Sequence, residues 1–463
     1  MTARSSGYGV GKSGAPAFDV RGIVEGFYGK PWTHDERLDM IRFIAARGMN
    51  TFVYAPKDDS LVRRDWRDEY SGAELQRLAE LIGECESNDI DFVYCLSPGL
   101  SIRYSDTEDV AALVSKYESV LALGATRLGL LLDDIPPLLQ YPQDIASWPD
   151  LASAHEQLVA RLRQRFDTLI VCPTQYYGRG NEPYISALGL GLDDDVDLMW
   201  TGRLICSPYI DLVDAELFTQ HTSHAPLYWD NYPVNDVAMS HELHIGPYRG
   251  RDPQLGRASR GVIANGMQFA EASKIAFATV ADYLWSPSDY DPEASWAVAL
   301  ADVVGNPDDL GAFTMFAENS LTSCLNLDDA IEFSRALERF GFLVDTGNPA
   351  EAAAELGEYA RRLDAASTHL LSGRVTNVRL IEQARPWLDQ FRLGSEAISL
   401  MSSLAATGRL ESDAPTALAS FRDEFAAAGR RVFGDSLSMA LGDLVDPIHT
   451  THHTVERHKE AAP

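Results

Sequence analysis

Two adjacent carboxylates, Asp133 and Asp134, end the apolar run 128–132 in "LGLLLDDIPP". Successive strand residues point to opposite faces, but at a frayed strand end both can lean the same way. Their carboxyl groups would then stand roughly 5–7 Å apart, near the spacing of retaining glycosidases. Two charges that close push one pKa up, which gives a proton donor beside a permanent anion. Pro136 and Pro137 stiffen the loop after the pair. Three uses are open to such a pair. It could serve as a glycosidase acid and stabiliser. It could bind a divalent metal, as in aldolase- or lyase-type barrels. It could be structural, salt-bridged at a helix N-terminus. Sugars pack their C–H faces on aromatic rings, and Trp200, Trp229, Tyr176, Tyr177 and Tyr232 lie near other run ends, which favours sugar chemistry. No His ends a run and no third carboxylate has metal-ligand spacing, so no metal or cofactor is expected.

What would position these residues is a repeated unit of strand and helix. Short apolar runs occur at 20–26, 50–56, 91–99, 127–134, 168–174, 197–202, 226–231 and 260–266. Each is followed by a stretch with helical spacing, such as "AELQRLAELIGECES" with Leu75, Leu78, Ala79 and Ile82. Continuous apolar strands between helices imply a parallel sheet covered on both faces. Eight such units predict a (β/α)8 TIM barrel, whose active site lies at the C-terminal strand ends. Nearly every run does end in polar or aromatic groups, Glu25-Gly26, Lys57-Asp58-Asp59 and Asn265-Gly266 among them. Beyond about residue 300 only amphipathic helices remain, joined by Gly, Asn and Pro turns, and they predict an all-α bundle. Pro386 is expected near a helix start or a kink. The expected organisation is a flexible lead 1–18, a barrel 19–300, a helical bundle 301–445 and a flexible tail 446–463. The tail's His449, His452, His453 and His458 read as a frayed, solvated end.

Composition narrows the partners. The 463 residues include 39 Lys+Arg and 68 Asp+Glu, a net charge of −29, so nucleic acid and anionic membranes are excluded as partners. There is no apolar run of 18 residues and no signal-peptide pattern, which makes a cytoplasmic location the expectation. The five cysteines (Cys85, Cys95, Cys172, Cys206, Cys324) lack C-x-x-C spacing and read as reduced core residues.

Eight motifs follow in order, seven of them at these run ends: "VEGFYGKPW", "NTFVYAPKDD", "LLLDDI", "CPTQYY", "MWTG", "WDNYPVND", "GPYRGR" and "GVIANG". Together they resemble glycoside hydrolase family 84, the O-GlcNAcase-type β-N-acetylglucosaminidases, over about residues 20–300. The resemblance implies retaining, substrate-assisted hydrolysis of β-linked GlcNAc, including GlcNAc on protein Ser/Thr, in which the sugar's 2-acetamido oxygen closes on C1 to an oxazoline. Asp133 then corresponds to the residue that holds the acetamido N–H, and Asp134 to the general acid and base. Gly26 would offer its carbonyl to a sugar hydroxyl, and Lys57 would bind a hydroxyl. Tyr176 would hydrogen-bond near the acetamido group, and Trp229 would wall the acetyl pocket. Asn231 would bind near the acetamido or leaving-group oxygen, Asp236 the 4- and 6-hydroxyls, and Asn265 a ring hydroxyl. His241 and His244 match no family role and read as loop or helix residues. The resemblance also implies a helical domain that can form a homodimer. Two departures bear on leaving-group preference: "SLVRRDW" replaces an aromatic-basic "PYHR"-like run, and Gln175 stands where Glu is commoner. A metal-dependent lyase or aldolase using the pair as ligands is the rival class, with a non-catalytic sugar-binding protein behind it.

Overall fold

The computed structural model describes residues 14–327 and 330–446. Eight parallel strands close into a barrel in sequence order: β1 (Val20–Glu25), β2 (Thr51–Tyr54), β3 (Asp91–Leu96), β4 (Arg127–Leu131), β5 (Ile170–Cys172), β6 (Asp197–Trp200), β7 (Leu227–Asp230) and β8 (Gly261–Asn265). Closure is the β8–β1 pairing, with Gly22 opposite Ile263 and Val24 opposite Asn265. All eight runs read from the sequence are strands, each trimmed by a few residues at its C-terminal end, where the chain leaves the ladder.

The period of two decides which residues fill the barrel. Val24, Val53, Val93, Cys95, Leu131, Ile170, Cys172, Met199, Leu227, Trp229 and Ile263 form one buried cluster, and within each strand they share one parity. Residues of the other parity face the helices. Phe52, Tyr54, Phe92 and Tyr94 stack there, with centroids 6.0–6.2 Å apart. Where the interior is tightest only glycine fits: a Cβ on Gly129 would lie 2.3 Å from Cys95 Sγ. Asp197 plugs the N-terminal end, paired with Arg127 and, at 2.8 Å, with Arg260.

The same parity corrects part of the aromatic reading. Trp200 lies opposite Tyr228 on the outward row and packs on Phe218 at 4.6 Å. Tyr232 is fully buried and packs against Tyr248. Both are core residues, and neither lines the mouth.

Crossing helices carry legible start signals. Thr33 caps the helix His34–Ala46 in a reciprocal capping box with Glu36. Asp106 and Asp150 cap the helices Thr107–Leu121 and Leu151–Arg163. Inside the latter, His155 is fully buried, with Nε2 2.8 Å from the Tyr104 hydroxyl and Nδ1 2.8 Å from the Tyr184 hydroxyl. Tyr184 in turn accepts the Thr174 N–H at the end of β5.

Two compact units divide the chain. One takes the described residues up to Val237 together with Pro247–Ala299; the other takes Ala238–Gly246 and the described residues from Leu300 onward. The nine residues 238–246 therefore leave the expected barrel span for the helical unit. There the His241 carbonyl accepts the Trp387 Nε1–H at 2.9 Å and the Arg431 N–H at 2.8 Å. The helical unit centres on Pro349–Leu370 and Val378–Ala406, with Phe316, Phe333, Trp387, Phe391 and Phe433 buried. Pro386 sits inside Val378–Ala406 and not at its start. Leu410–Ala417 and Ala419–Ala428 are two separate short helices.

The expected lead falls mostly outside the described residues. Residues 1–13 lie outside the described residues, but the Ala17 N–H donates to the Trp285 carbonyl at 3.0 Å and Phe18 is buried. The tail histidines also lie outside the described residues. All five cysteines are free: Cys85, Cys95 and Cys172 are buried, Cys206 and Cys324 partly so. Among the described residues no helix is long and apolar enough to cross a membrane.

Candidate active site

Continuing the inward row past the strand ends reaches Gly26, Lys57, Asp133, Asn231 and Asn265. The alternation that packs the barrel thus delivers these side chains to its mouth. Asp134 has the wrong parity. It is brought in because its backbone is left-handed, with φ 54°, a conformation an aspartate adopts at a cost of roughly 1 kcal/mol. This turn lets two neighbouring carboxylates face one cavity.

Each carboxylate has its own hydrogen-bond partners. Asp133 is buried, and its Oδ2 accepts a hydrogen bond from Lys57 Nζ, itself buried. Burial works to lower the Lys57 pKa, but Asp133 outweighs it and holds the ammonium above its usual value. Asp133 Oδ1 is buried without a hydrogen-bond partner among the described residues. Asp134 is exposed to the cavity, and two phenols bind it: Tyr28 Oη donates to Oδ2 at 2.7 Å, Tyr176 Oη to Oδ1 at 3.0 Å. Arg63 Nη1 donates to the Tyr28 hydroxyl at 2.8 Å. Burial works to raise the Asp134 carboxyl. The Tyr28 hydroxyl, the Lys57 charge, the Tyr176 hydroxyl and the Arg63 charge outweigh it and hold Asp134 below the ordinary carboxylate range. Repulsion between neighbours does not govern this group, which corrects the expectation of a raised carboxyl here. Burial pushes both phenols up, so they remain hydroxyl donors.

The opposite wall is a chain of amides. The Trp229 Nε1–H donates to Asn231 Oδ1 at 2.9 Å, Asn265 Nδ2 donates to the same oxygen at 3.0 Å, and the Gly26 N–H donates to Asn265 Oδ1 at 3.2 Å. Asn231 Nδ2 reaches the Ile205 carbonyl at 2.9 Å. Gly26 is pressed against the indole, where a Cβ would lie 2.4 Å from the Trp229 ring. Lys57 Nζ stands 5.7 Å from that ring and 5.8 Å from the Tyr28 ring, which ties the two walls together. Asp236 Oδ2 accepts the Tyr28 N–H at 2.7 Å, and burial raises its carboxyl.

All nine candidate residues therefore fall in one connected network. Sequence reasoning left Tyr28 and Arg63 without a role. Tyr28 lies inside "EGFYG", and Arg63 lies in the segment set aside as a departure; an adjacent basic pair, Arg63-Arg64, in the loop after β2 was the available signal. Asp230, outward-facing and buried, pairs with Arg251 at 2.6 Å and anchors the segment that carries Asn231 and Asp236.

A closed parallel barrel with a carboxylate pair and an aromatic wall at its C-terminal mouth has the architecture of a (β/α)8 glycoside hydrolase. Residues 21–318 match the family model for β-N-acetylglucosaminidases, and the chain belongs to this family, glycoside hydrolase family 84. The curated relatives include the protein O-GlcNAcases of Rattus norvegicus and Mus musculus. They are 32% identical over 284 and 283 residues, in each case 59% of this chain and 31% of the relative. The chain thus matches under a third of the length of those relatives. Among solved structures, a mutant of the Thermobaculum terrenum O-GlcNAc hydrolase superposes with a TM-score of 0.87 at 32% identity, covering 96% of this chain and 98% of that one. The structure of CpGH84B superposes with a TM-score of 0.82 at 26% identity, covering 93% of this chain and 77% of that one.

Proposed function

We propose that this protein is a retaining β-N-acetylglucosaminidase that removes terminal β-linked GlcNAc through an oxazoline. The observation that carries the reading is Asp133. One of its oxygens accepts a hydrogen bond from Lys57, and the other is a buried acceptor without a donor among the described residues. An unpartnered buried acceptor costs about 1–3 kcal/mol, and a substrate acetamido N–H placed there would relieve it. Held in this way, the acetamido oxygen becomes a better nucleophile and is already bound next to C1. It bonds to C1 as the glycosidic C1–O bond breaks, and Asp134 gives its proton to the leaving oxygen. Asp134 then takes a proton from water as that water attacks C1 and reopens the ring, so the β configuration is kept.

The Lys57–Asp133 pair also favours this reading over the metal-dependent one, because an ammonium already neutralises the carboxylate a cation would need. Action on GlcNAc linked to protein serine or threonine is part of the proposal. It is supported by family membership and by the O-GlcNAcase names of the relatives. The test is hydrolysis of an aryl β-N-acetylglucosaminide and of a GlcNAc-bearing peptide, with product configuration read by NMR. We expect retention, little reaction with a glucoside or a free-amine glucosaminide, tight inhibition by a thiazoline mimic of the oxazoline, and full activity after exhaustive chelation. Comparable rates on glucoside and N-acetylglucosaminide would remove substrate assistance. Activity abolished by EDTA and restored by Mg²⁺ or Mn²⁺ would favour the metal enzyme.

A further inference from the structure

We propose that Tyr28, backed by Arg63, is the positioning residue of Asp134: it occupies Oδ2 permanently and leaves Oδ1 as the oxygen that carries the proton to the leaving group. This inference rests on the hydrolase reading for what the proton is used for, but its geometric part does not. A guanidinium has no acceptor, so Arg63 Nη1 must donate to Tyr28 Oη at 2.8 Å. The phenol's own proton is then committed to Asp134 Oδ2 at 2.7 Å. The phenol cannot easily turn away. Its backbone N–H is bound by Asp236, and its ring faces Arg63 at 5.4 Å and Lys57 at 5.8 Å.

The segment behind Arg63 is tied down on several sides. Asp59 accepts hydroxyls from Tyr54 and Tyr70 at 2.8 and 3.1 Å, and the Val62 carbonyl accepts the Ser97 N–H at 2.9 Å. Buried Lys116 binds the Leu61 and Asp68 carbonyls. Trp66 and Arg67 bind Ser101, and Arg67 also binds Asp109.

Tyr176 contrasts with this. Its hydroxyl on Oδ1 has no second donor behind it among the described contacts. A substrate that draws the Tyr176 hydroxyl to itself would uncover Oδ1 and remove one stabiliser of the anion, while Tyr28 stays. The charged and titratable groups around Asp134 are Tyr28, Lys57, Arg63, Asp133, Cys172, Tyr176 and Asp236.

The test compares Tyr28→Phe, Arg63→Met and Arg63→Lys with the unmodified protein. Asp134 is titrated in unliganded protein by carboxyl-13C NMR, assigned with Asp134→Asn, and kcat and kcat/KM are measured against pH with leaving groups of graded pKa. Removing one hydrogen bond to a charged group should raise the Asp134 titration in Tyr28→Phe by about one pH unit, with the basic limb of kcat/KM moving the same way. On the acid side of that limb, where Asp134 is protonated in both proteins, turnover should fall roughly tenfold for alkyl leaving groups and hardly at all for dinitrophenolate, with KM little changed. Arg63→Met should shift both readouts in the same direction, and Arg63→Lys should restore most of the change. In the unmodified protein the basic limb of kcat should lie above that of kcat/KM, because bound substrate takes Tyr176. An unmoved Asp134 titration, or equal losses on every leaving group with an unmoved pH profile, in variants that melt like the parent, would overturn the proposal. If the parent itself lacks N-acetylglucosaminidase activity, the hydrolase reading fails, and the NMR titration still decides whether Tyr28 and Arg63 hold the carboxylate.

Discussion

Asp134 owes its place to one dihedral angle, and Asp133 is held by an ion pair with one lysine. That difference predicts different behaviour on truncation. Asp134→Ala should be severe on an alkyl or Ser-linked sugar and mild on a dinitrophenyl glycoside, because the need for an acid scales with the leaving group's basicity. Asp133→Ala should cost about 10²–10³ on both, as removing one preorganised electrostatic partner does. Steady-state rates over a leaving-group series separate the two, and a steep dependence for Asp133→Ala with a flat one for Asp134→Ala would reverse the roles. Gly26 gives a second test. Its added Cβ would meet the indole of Trp229 at 2.4 Å, and neither backbone nor ring yields easily at such a distance. Gly26→Ala should raise KM for the N-acetylglucosaminide at least tenfold by tilting Trp229, while leaving the circular dichroism spectrum unchanged. A normal KM would mean that Trp229 is no wall of the sugar site.

Strand ends alone do not hold the mouth; helices grip them. Glu25, the last residue of β1, is fully buried, and Arg37 of the helix His34–Ala46 binds both its oxygens at 2.7 and 2.8 Å. The Trp32 N–H adds a third bond at 3.0 Å. Burial raises the Glu25 carboxyl even so, which marks how much the ionised form depends on its partner. Arg37→Met should therefore destabilise the barrel by about 3–5 kcal/mol, the cost of stranding a buried charge. Adding Glu25→Gln should recover a large part of it. Urea denaturation of the single and double variants measures this, and a double variant no more stable than the single one would show that packing, not charge, is what Arg37 supplies.

Across the whole molecule, legibility followed periodicity. The eight strands were readable because each is an apolar run between helical patterns, and the inward row then places Lys57, Asp133, Trp229, Asn231 and Asn265 without further information. Trp200 and Tyr232 were misplaced because an aromatic near a strand end looks the same in sequence whichever way it faces; one residue of parity separates Trp200 from the cavity. Asp134 was legible as the second carboxylate of a frayed strand end, but nothing local announces the left-handed turn that brings it in. Arg63 was invisible because it acts through Tyr28, 35 positions away. Residues 238–246 went unrecognised as part of the helical unit because that membership rests on partners such as Trp387 and Arg431, far along the chain.

The tyrosine-flanked histidine inside the barrel unit has a consequence for how the fold meets acid. Burial lowers the His155 pKa to about 3, so the folded protein keeps this ring neutral where an unfolded chain would protonate it. A group depressed in the folded state leaves stability intact above its unfolded value, near 6.5, and erodes it as the pH falls toward the folded value. Unfolding below pH 6.5 therefore takes up a proton at this one site, and each further pH unit costs about 1.4 kcal/mol until roughly pH 3. Between pH 6.5 and 5 the loss is about 2 kcal/mol. His155→Gln keeps a donor and an acceptor between Tyr104 and Tyr184 but cannot take the proton. Its urea midpoint should fall less steeply with acid than the parent's, and equal slopes would mean that the ring is already protonated in the fold. The loop that follows β3, through Tyr104, and the helix Pro183–Gly191 that follows β5, through Tyr184, share this one imidazole, so mild acid should loosen both together, as a coupled rise in their amide exchange.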